Sequence, residues 1–209
     1  MEMIRIDGVA LEVQRLSGNA GRPPPAKASA PIVFLHEGLG SVAMWRDWPA
    51  QVCAATGRDG VVYSRRGYGR SDLVADARGA GQLRPDYLHR EALEVLPRLL
   101  SALGVARPVL LGHSDGGSIA LVHAATHPVA ACVVMAPHVI VEDISVAAIT
   151  QARQAYQGGA LRERLERYHA HVDGAFWQWN EIWLSAAFRS FDIRPECRRI
   201  AAPVLAVQG

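Results

Sequence analysis

The chain has 209 residues, half of them hydrophobic and a fifth charged, with 22 Lys+Arg against 20 Asp+Glu and a formal charge of +2. Such a length fits one domain on a scale of roughly 100–200 residues, and the composition suits a soluble packed core and excludes a disordered chain. Lys27 is the one lysine, and the arginines are scattered apart from Arg65-Arg66 and Arg198-Arg199; without a basic stripe interleaved with aromatics, nucleic acid is not expected as a partner.

No apolar run approaches the roughly 20 residues that span a bilayer, and the first 16 residues lack the basic start and apolar block of a signal peptide. Cys53, Cys132 and Cys197 are far apart and odd in number. They suggest neither a disulfide framework nor a zinc site, so the expectation is a cytoplasmic protein without metal, cofactor or membrane contact.

In chain order, residues 4–6 and 9–16 read as strands joined at Asp7-Gly8, a hairpin signal. A loop over 17–30 holds Pro23-Pro24-Pro25, which excludes helix and sheet interior. Short apolar runs at 31–36, 60–64, 108–112, 131–136 and 203–208 read as strands buried on both faces. Helical patterns over 44–55, 87–103 and 115–127 lie between them. Such alternation predicts a mostly parallel α/β sheet flanked by helices. The alternation stops after Ala136. Residues 137–202 read as helices over 146–156, 160–172 and 176–188, separated at Gly158-Gly159 and Asp173-Gly174. The expected organisation is a core over 1–136, a helical cap over 137–202, and a return to the core over 203–209.

Gly112-His113-Ser114-Asp115-Gly116 has the form G-x-S-x-G between a strand and a helix, the context of a nucleophile elbow. There a tight turn lifts the serine hydroxyl above the sheet, and its small neighbours let strand and helix pack closely. His36-Glu37-Gly38-Leu39-Gly40-Ser41, at the end of an earlier strand, is a glycine-rich turn able to aim backbone N–H groups at an acyl oxygen. The two donors of an oxyanion hole are assigned to Gly38, with Leu39 as its alternative, and to Asp115.

With these segments, and with Tyr63-Ser64-Arg65-Arg66-Gly67-Tyr68-Gly69-Arg70-Ser71-Asp72, nearly the whole chain resembles the α/β-hydrolase superfamily, in its branch of small cap-bearing esterases and C–C hydrolases. It departs from many members at Glu37, where a second glycine is common, and at Asp115. The resemblance implies an acid after the strand at 203–208 and a histidine one strand later. No histidine follows His171. The expectation is therefore a C-terminally truncated chain that lacks the last strand, its helices and both triad partners. Residues 203–208 are then left as an apolar edge. His138, after the strand at 131–136, reads as a residue lining the mouth of the cap, with a substitute base as the alternative. His123 and His127 share a helix face but lack a third ligand, and His113, on the tight turn, points away from Ser114.

Eight of the fourteen aromatics are Tyr156, Tyr168, Phe176, Trp177, Trp179, Trp183, Phe188 and Phe191. They form either a pocket roof for an apolar acyl group, with Trp179 and Trp183 facing the substrate, or plain cap packing. The function expected is a serine hydrolase with Ser114 as nucleophile, acting through an acyl-enzyme on a small carboxylic ester or thioester. The alternatives are a C–C bond hydrolase of aromatic catabolism and a non-catalytic remnant. Substrate identity and oligomeric state are not legible.

Overall fold

Asp7 and Gly8 both take positive φ, 49° and 84°, and close a two-residue turn between strands β1 (Glu2–Ile6) and β2 (Val9–Leu16), with Ile6 opposite Val9. Left-handed backbone at both central positions matches the twist of the flanking strands, so the Asp-Gly pair sets the register. The computed structural model describes residues 1–18 and 29–208; the proline run at 23–25 lies outside the described residues.

The sheet continues with β3 (Ile32–Leu35), β4 (Gly60–Tyr63), β5 (Val109–His113), β6 (Ala131–Met135) and β7 (Val204–Val207). Its order is β1-β2-β4-β3-β5-β6-β7. β1 and β2 run antiparallel, and the other five strands are parallel to one another. β3 is flanked by β4 on one side and β5 on the other. The direction of winding therefore reverses there, and crevices at such reversals receive ligands in open α/β sheets.

Alternation along each strand divides the core. Ile32, Phe34, Val62 and Leu111 face Cys53 and Trp45 on one side, beside α1 (Trp48–Thr56). Val33, Leu35, Val61, Tyr63, Leu110 and Val134 face the other side. That side is covered by α2 (Tyr87–Arg90), α3 (Leu96–Ala102) and α4 (Asp115–Ala124). Cys132 is a buried core residue there.

The helix expected over 44–55 is two pieces, a 3-10 turn Ala43–Trp45 and then α1. Pro49 is the cause: without an N–H and with its ring against the carbonyl four residues back, it fits the first turn and not the interior. The pattern at 87–103 is one continuous rod in which Glu91–Val95 forms a π-turn between α2 and α3. Pro97 cannot donate to Ala92, and the freed Ala92 carbonyl accepts from His123 Nδ1 at 2.8 Å. Burial lowers His123 to about 4, so the ring stays neutral in this role. His127 stacks on it.

Between β6 and β7 lie α5 (Asp143–Gln157), α6 (Ala160–Leu165), α7 (Val172–Trp183), a 3-10 turn Ala186–Ser190 and α8 (Arg194–Cys197). They form the helical cap insertion. Gly159 takes φ 92° and separates α5 from α6 as expected. Asp173-Gly174 separates nothing: both lie in the first turn of α7, where an acidic side chain favours the helix dipole. The helix expected over 160–172 stops at Leu165: Tyr168 N–H closes a tighter turn onto the Leu165 carbonyl, and Ala170 N–H bonds the Gly69 carbonyl of the rim loop. Tyr156, Leu165, Val172 and Phe176 form the cap's own small core, whereas Ile182, Trp183, Phe188, Phe191 and Ile193 join the main one. β7 is the sheet edge, with Val204, Leu205 and Val207 exposed. Among the described residues no helix is long and apolar enough to cross a membrane.

Candidate active site

Ser114 sits between β5 and α4 at φ 52°, ψ −118°. A non-glycine residue in that region stores on the order of 1–3 kcal/mol of strain, which the surroundings must hold. They hold it by contact. A Cβ on Gly112 would lie 2.2 Å from the Gly116 carbonyl oxygen, and one on Gly116 would lie 2.0 Å from that of Leu35. Both contacts are with backbone that cannot yield, so the motif's glycines are steric requirements. Ser114 N–H is bonded to the Met135 carbonyl at 2.9 Å. The serine is half-buried, at the N-terminus of α4, where unpaired first-turn N–H groups and the helix dipole favour negative charge.

The loop after β3 turns at Glu37, where Gly40 N–H bonds the Glu37 carbonyl at 3.0 Å. Gly38 and Leu39 line the same cavity as Ser114 and Asp115. That cavity, about 360 Å³, is completed by Glu37, His113, Ala136, His138, Ser145, Ala148, Ile149, Trp179 and Trp183. Its floor is therefore the ends of β3, β5 and β6, and its roof is α5 and α7. The volume is at the low end for small-molecule sites and suits a small substrate.

His138 Nε2 lies 3.0 Å from Ser114 Oγ. Its backbone is clamped by Ser118 of α4, whose hydroxyl accepts from His138 N–H at 3.0 Å and donates to the His138 carbonyl at 2.7 Å. The Trp183 ring meets the imidazole edge-on at 4.6 Å. Burial lowers the His138 pKa below the ordinary imidazole value, partly offset by the Asp115 and Glu142 carboxylates, so the ring is neutral and able to accept a proton. Nδ1 is buried without a hydrogen-bond partner among the described residues. The sequence offered His138 as a residue lining the mouth of the cap, with a substitute base as the alternative. That its ring reaches Ser114 depends on Ser118, 20 positions away.

His113 lines the same cavity as Ser114, and its Nδ1 lies 3.6 Å from Glu37 Oε2. The eight cap aromatics divide. Trp179 and Trp183 line the cavity, Tyr156 stacks on Phe176 at 3.7 Å inside the cap, and Phe188 stacks on Phe191 in the main core. Tyr168 accepts from Arg46 at the surface, and Arg78 covers Trp177. Trp45 and Trp48 stack on each other beside a neighbouring cavity that shares Glu37 and His113.

Three residues around the site were not singled out from the sequence. Arg65 is buried whereas Arg66 is exposed. Tyr87 donates to Asp115 Oδ2 at 2.7 Å and accepts from Trp183 Nε1 at 3.0 Å, linking roof to floor. His169 accepts from Gly69 N–H at 3.0 Å and reaches the Leu39 carbonyl at 2.9 Å, so it joins rim loop, glycine-rich turn and cap. Local pattern carries no signal for any of them, since each is defined by partners more than 25 positions away. Among the described residues, no group of three or more His, Cys, Asp or Glu side chains is placed to hold a metal ion.

Residues 30–173 match the family described as alpha/beta hydrolase fold. Over 102 residues the chain is 33% identical to "Putative carbamate hydrolase RutD" of Caulobacter vibrioides; the match covers 48% of this chain and 34% of that protein. It thus spans about a third of the length of the curated relatives it matches. Among solved structures, a study of carboxylesterases of Nitrososphaera gargenis superposes with a TM-score of 0.71 at 17% identity, over 100% of this chain and 80% of that one. The enol-lactonase from Burkholderia xenovorans LB400 gives 0.67 at 18% identity, over 100% and 81%. An esterase from Exiguobacterium antarcticum gives 0.68 at 19%, over 96% and 77%.

Proposed function

Because the chain belongs to the alpha/beta hydrolase fold family, we propose that it hydrolyses small carboxylic esters, lactones among them, or thioesters through an acyl-enzyme on Ser114. The observation that carries this reading is the strained Ser114 at the head of α4, its hydroxyl held by a neutral imidazole in a small cavity. Ser114 Oγ attacks the acyl carbon while His138 Nε2 takes its proton. The developing oxyanion is held by the N–H groups of Gly38, with Leu39 as its alternative, and of Asp115. His138 then returns the proton to the leaving alkoxide or thiolate, and water repeats the sequence to release the acid. Among the described residues His138 has no carboxylate on Nδ1. A serine–histidine pair without its acid runs on the order of 10⁴-fold below a complete triad, so turnover by these 209 residues is slow.

In this reading residues 137–202 act as the cap, and 1–136 with 203–209 as the core. Trp179 and Trp183 set acyl preference. Three free cysteines, two of them buried, support a reducing cytoplasm. Relatives with esterase and lactonase activities in their names support the substrate class. A C–C hydrolase is the second reading, supported by the aromatic roof; it predicts turnover of a vinylogous diketone in preference to an ester.

The test is fluorophosphonate labelling followed by mass spectrometry. Label on Ser114, absent from Ser114→Ala, is the expected result. Label elsewhere, or equal labelling of the variant, overturns the nucleophile. Unchanged labelling of His138→Ala means that the proton goes to another group.

A further inference from the structure

Arg65 and Arg66 are adjacent, yet one is buried and the other is exposed. A buried guanidinium calls for several acceptors, and those of Arg65 define what it does. Its Nη2 donates to the Glu37 carbonyl at 2.9 Å, and its Nη1, without a hydrogen bond among the described residues, lies at ion-pair distance, 3.8 Å, from Asp115 Oδ2. Its backbone N–H donates to His36 Nε2 at 3.1 Å. His36 Nε2 is therefore an acceptor, so the proton is on Nδ1, which donates to the same Glu37 carbonyl at 2.7 Å. Burial and the charge of Arg65 hold His36 well below the ordinary imidazole range and keep that tautomer neutral. With Gly40 N–H at 3.0 Å, three donors converge on one carbonyl oxygen of the glycine-rich turn.

The Glu37 carbonyl and the Gly38 N–H belong to one planar peptide unit, and none of the described peptide bonds is cis. In a trans unit the two groups point in opposite directions. Fixing the carbonyl on Arg65 and His36 therefore also fixes the direction of the N–H of Gly38, a residue that lines the cavity with Ser114. The second donor, Asp115 N–H, belongs to the residue whose carboxylate Arg65 approaches and Tyr87 bonds.

We propose that Arg65 is a positioning residue which, by bridging the Glu37 carbonyl and the Asp115 carboxylate, sets the spacing and aim of the two oxyanion-hole donors. The proposal rests on the hydrolase reading above and adds to it a group that touches neither nucleophile nor substrate. A planar guanidinium can hydrogen-bond the Glu37 carbonyl through one nitrogen while presenting its charge to Asp115 through the other, a geometry that a lysine ammonium does not reproduce. Hydrogen bonding of the carbonyl to a cation also polarises its peptide unit, which makes the Gly38 N–H a stronger donor.

The experiment compares wild type, R65M, R65K and the charge-neutral double variant R65M/D115N. A surface control, R98M, removes an arginine that pairs with Asp7. Kinetics of a p-nitrophenyl ester are measured with the affinities of an alkyl boronic acid and of the matching carboxamide. The boronic acid becomes a tetrahedral anion on Ser114, whereas the carboxamide binds without one. Deleting a whole oxyanion donor costs about 10²–10³-fold in kcat, so misaiming both should cost R65M about 10- to 100-fold, with KM little changed. Boronate affinity should fall by the same factor and carboxamide affinity should not. R65K should lie between, and R98M should match wild type. R65M/D115N removes both charges of the pair, so Asp115 is not left as an unpaired anion, and it tests the aim of Gly38 even if R65M unfolds. Wild-type kcat and boronate affinity in a folded R65M or in the double variant overturn the proposal. So does an equal loss of boronate and carboxamide binding, which marks general collapse of the site. A wild type that neither turns over the ester nor binds boronate overturns the hydrolase reading first, and this proposal with it.

Discussion

Two walls enclose Ser114, and they are made of different material. The floor is mostly backbone: the turn at Ser114, the Glu37–Gly38 peptide and the first turn of α4, held together by glycines whose absent Cβ atoms leave room for carbonyl oxygens 2.0–2.2 Å from where those atoms would sit. The roof is side chain: Trp179 and Trp183 from α7 and Ile149 from α5, joined to the floor by the Trp183–Tyr87–Asp115 hydrogen bonds. Backbone contacts tolerate no added atom, whereas a side-chain roof can be recut one residue at a time. The floor therefore suits the part of the chemistry common to all acyl substrates, and the roof suits discrimination between them.

His138 stands between the walls, and removing it tests both most severely. His138→Gln should slow Ser114 labelling by about 10²- to 10⁴-fold, the usual share of a general base. The wild-type rate should rise as pH passes upward through the His138 pKa and then level off, because the neutral ring is the active form. Burial lowers that pKa, so the acid limb should lie below the ordinary value of about 6.5. The variant should show no such limb. A limb centred above pH 6.5 in wild type would assign the proton to a different group.

Trp183 is fully buried and serves both walls. Trp183→Ala should cost about 3–5 kcal/mol of stability in urea denaturation, the range for large aromatics in cores, because it also leaves Tyr87 without its indole donor. A loss under about 1 kcal/mol would mean that the roof is not tied to the core. Gly116→Ala adds one carbon to the floor, at the backbone of Leu35. Overpacking of this kind costs roughly 1–3 kcal/mol, and the same melt should show it together with loss of fluorophosphonate labelling. Full labelling at wild-type rates would contradict a rigid floor. Trp179→Ala sharpens the contrast from the other side. Trp179 is only half-buried, so stability should change little while the kcat/KM ratio of aromatic to short aliphatic esters shifts about tenfold, or ~1.4 kcal/mol. Equal slowing of every ester would make Trp179 a packing residue.

How much of this was legible follows the same division. The Asp7-Gly8 hairpin, the five parallel strands and the strand–Ser114–helix turn were read directly, since each depends on neighbours within a few residues. The boundaries that failed did so for identifiable reasons. Pro49 restarts a helix that the apolar pattern carries through, and after Leu165 the chain tightens its turn and bonds Gly69. The aromatic cluster was visible, but its division between the cavity, the cap interior and the main core was not, because hydrophobicity is the same in all three. His138 was legible as a residue near the site; the 3.0 Å approach to Ser114 was not.

What the sequence determined by itself is the set of positions where backbone geometry admits few residues: glycine where a Cβ would meet a carbonyl, Asp-Gly where φ is positive, proline where an N–H is absent. Those constraints are local, and one stretch of chain expresses them in full. The tertiary structure alone decided which polar groups lose water and to what they are then bound. Arg65 and Arg66 are the same residue in neighbouring places, and one is buried between Glu37 and Asp115 while the other stays exposed. That choice comes from the strand order, which sets β4 beside β3 and β3 beside β5 and so brings residues 37, 65 and 115 to one end of the sheet. Burial makes an unpaired charge costly, so the partners met at that end, and not the residue type, give each side chain its role.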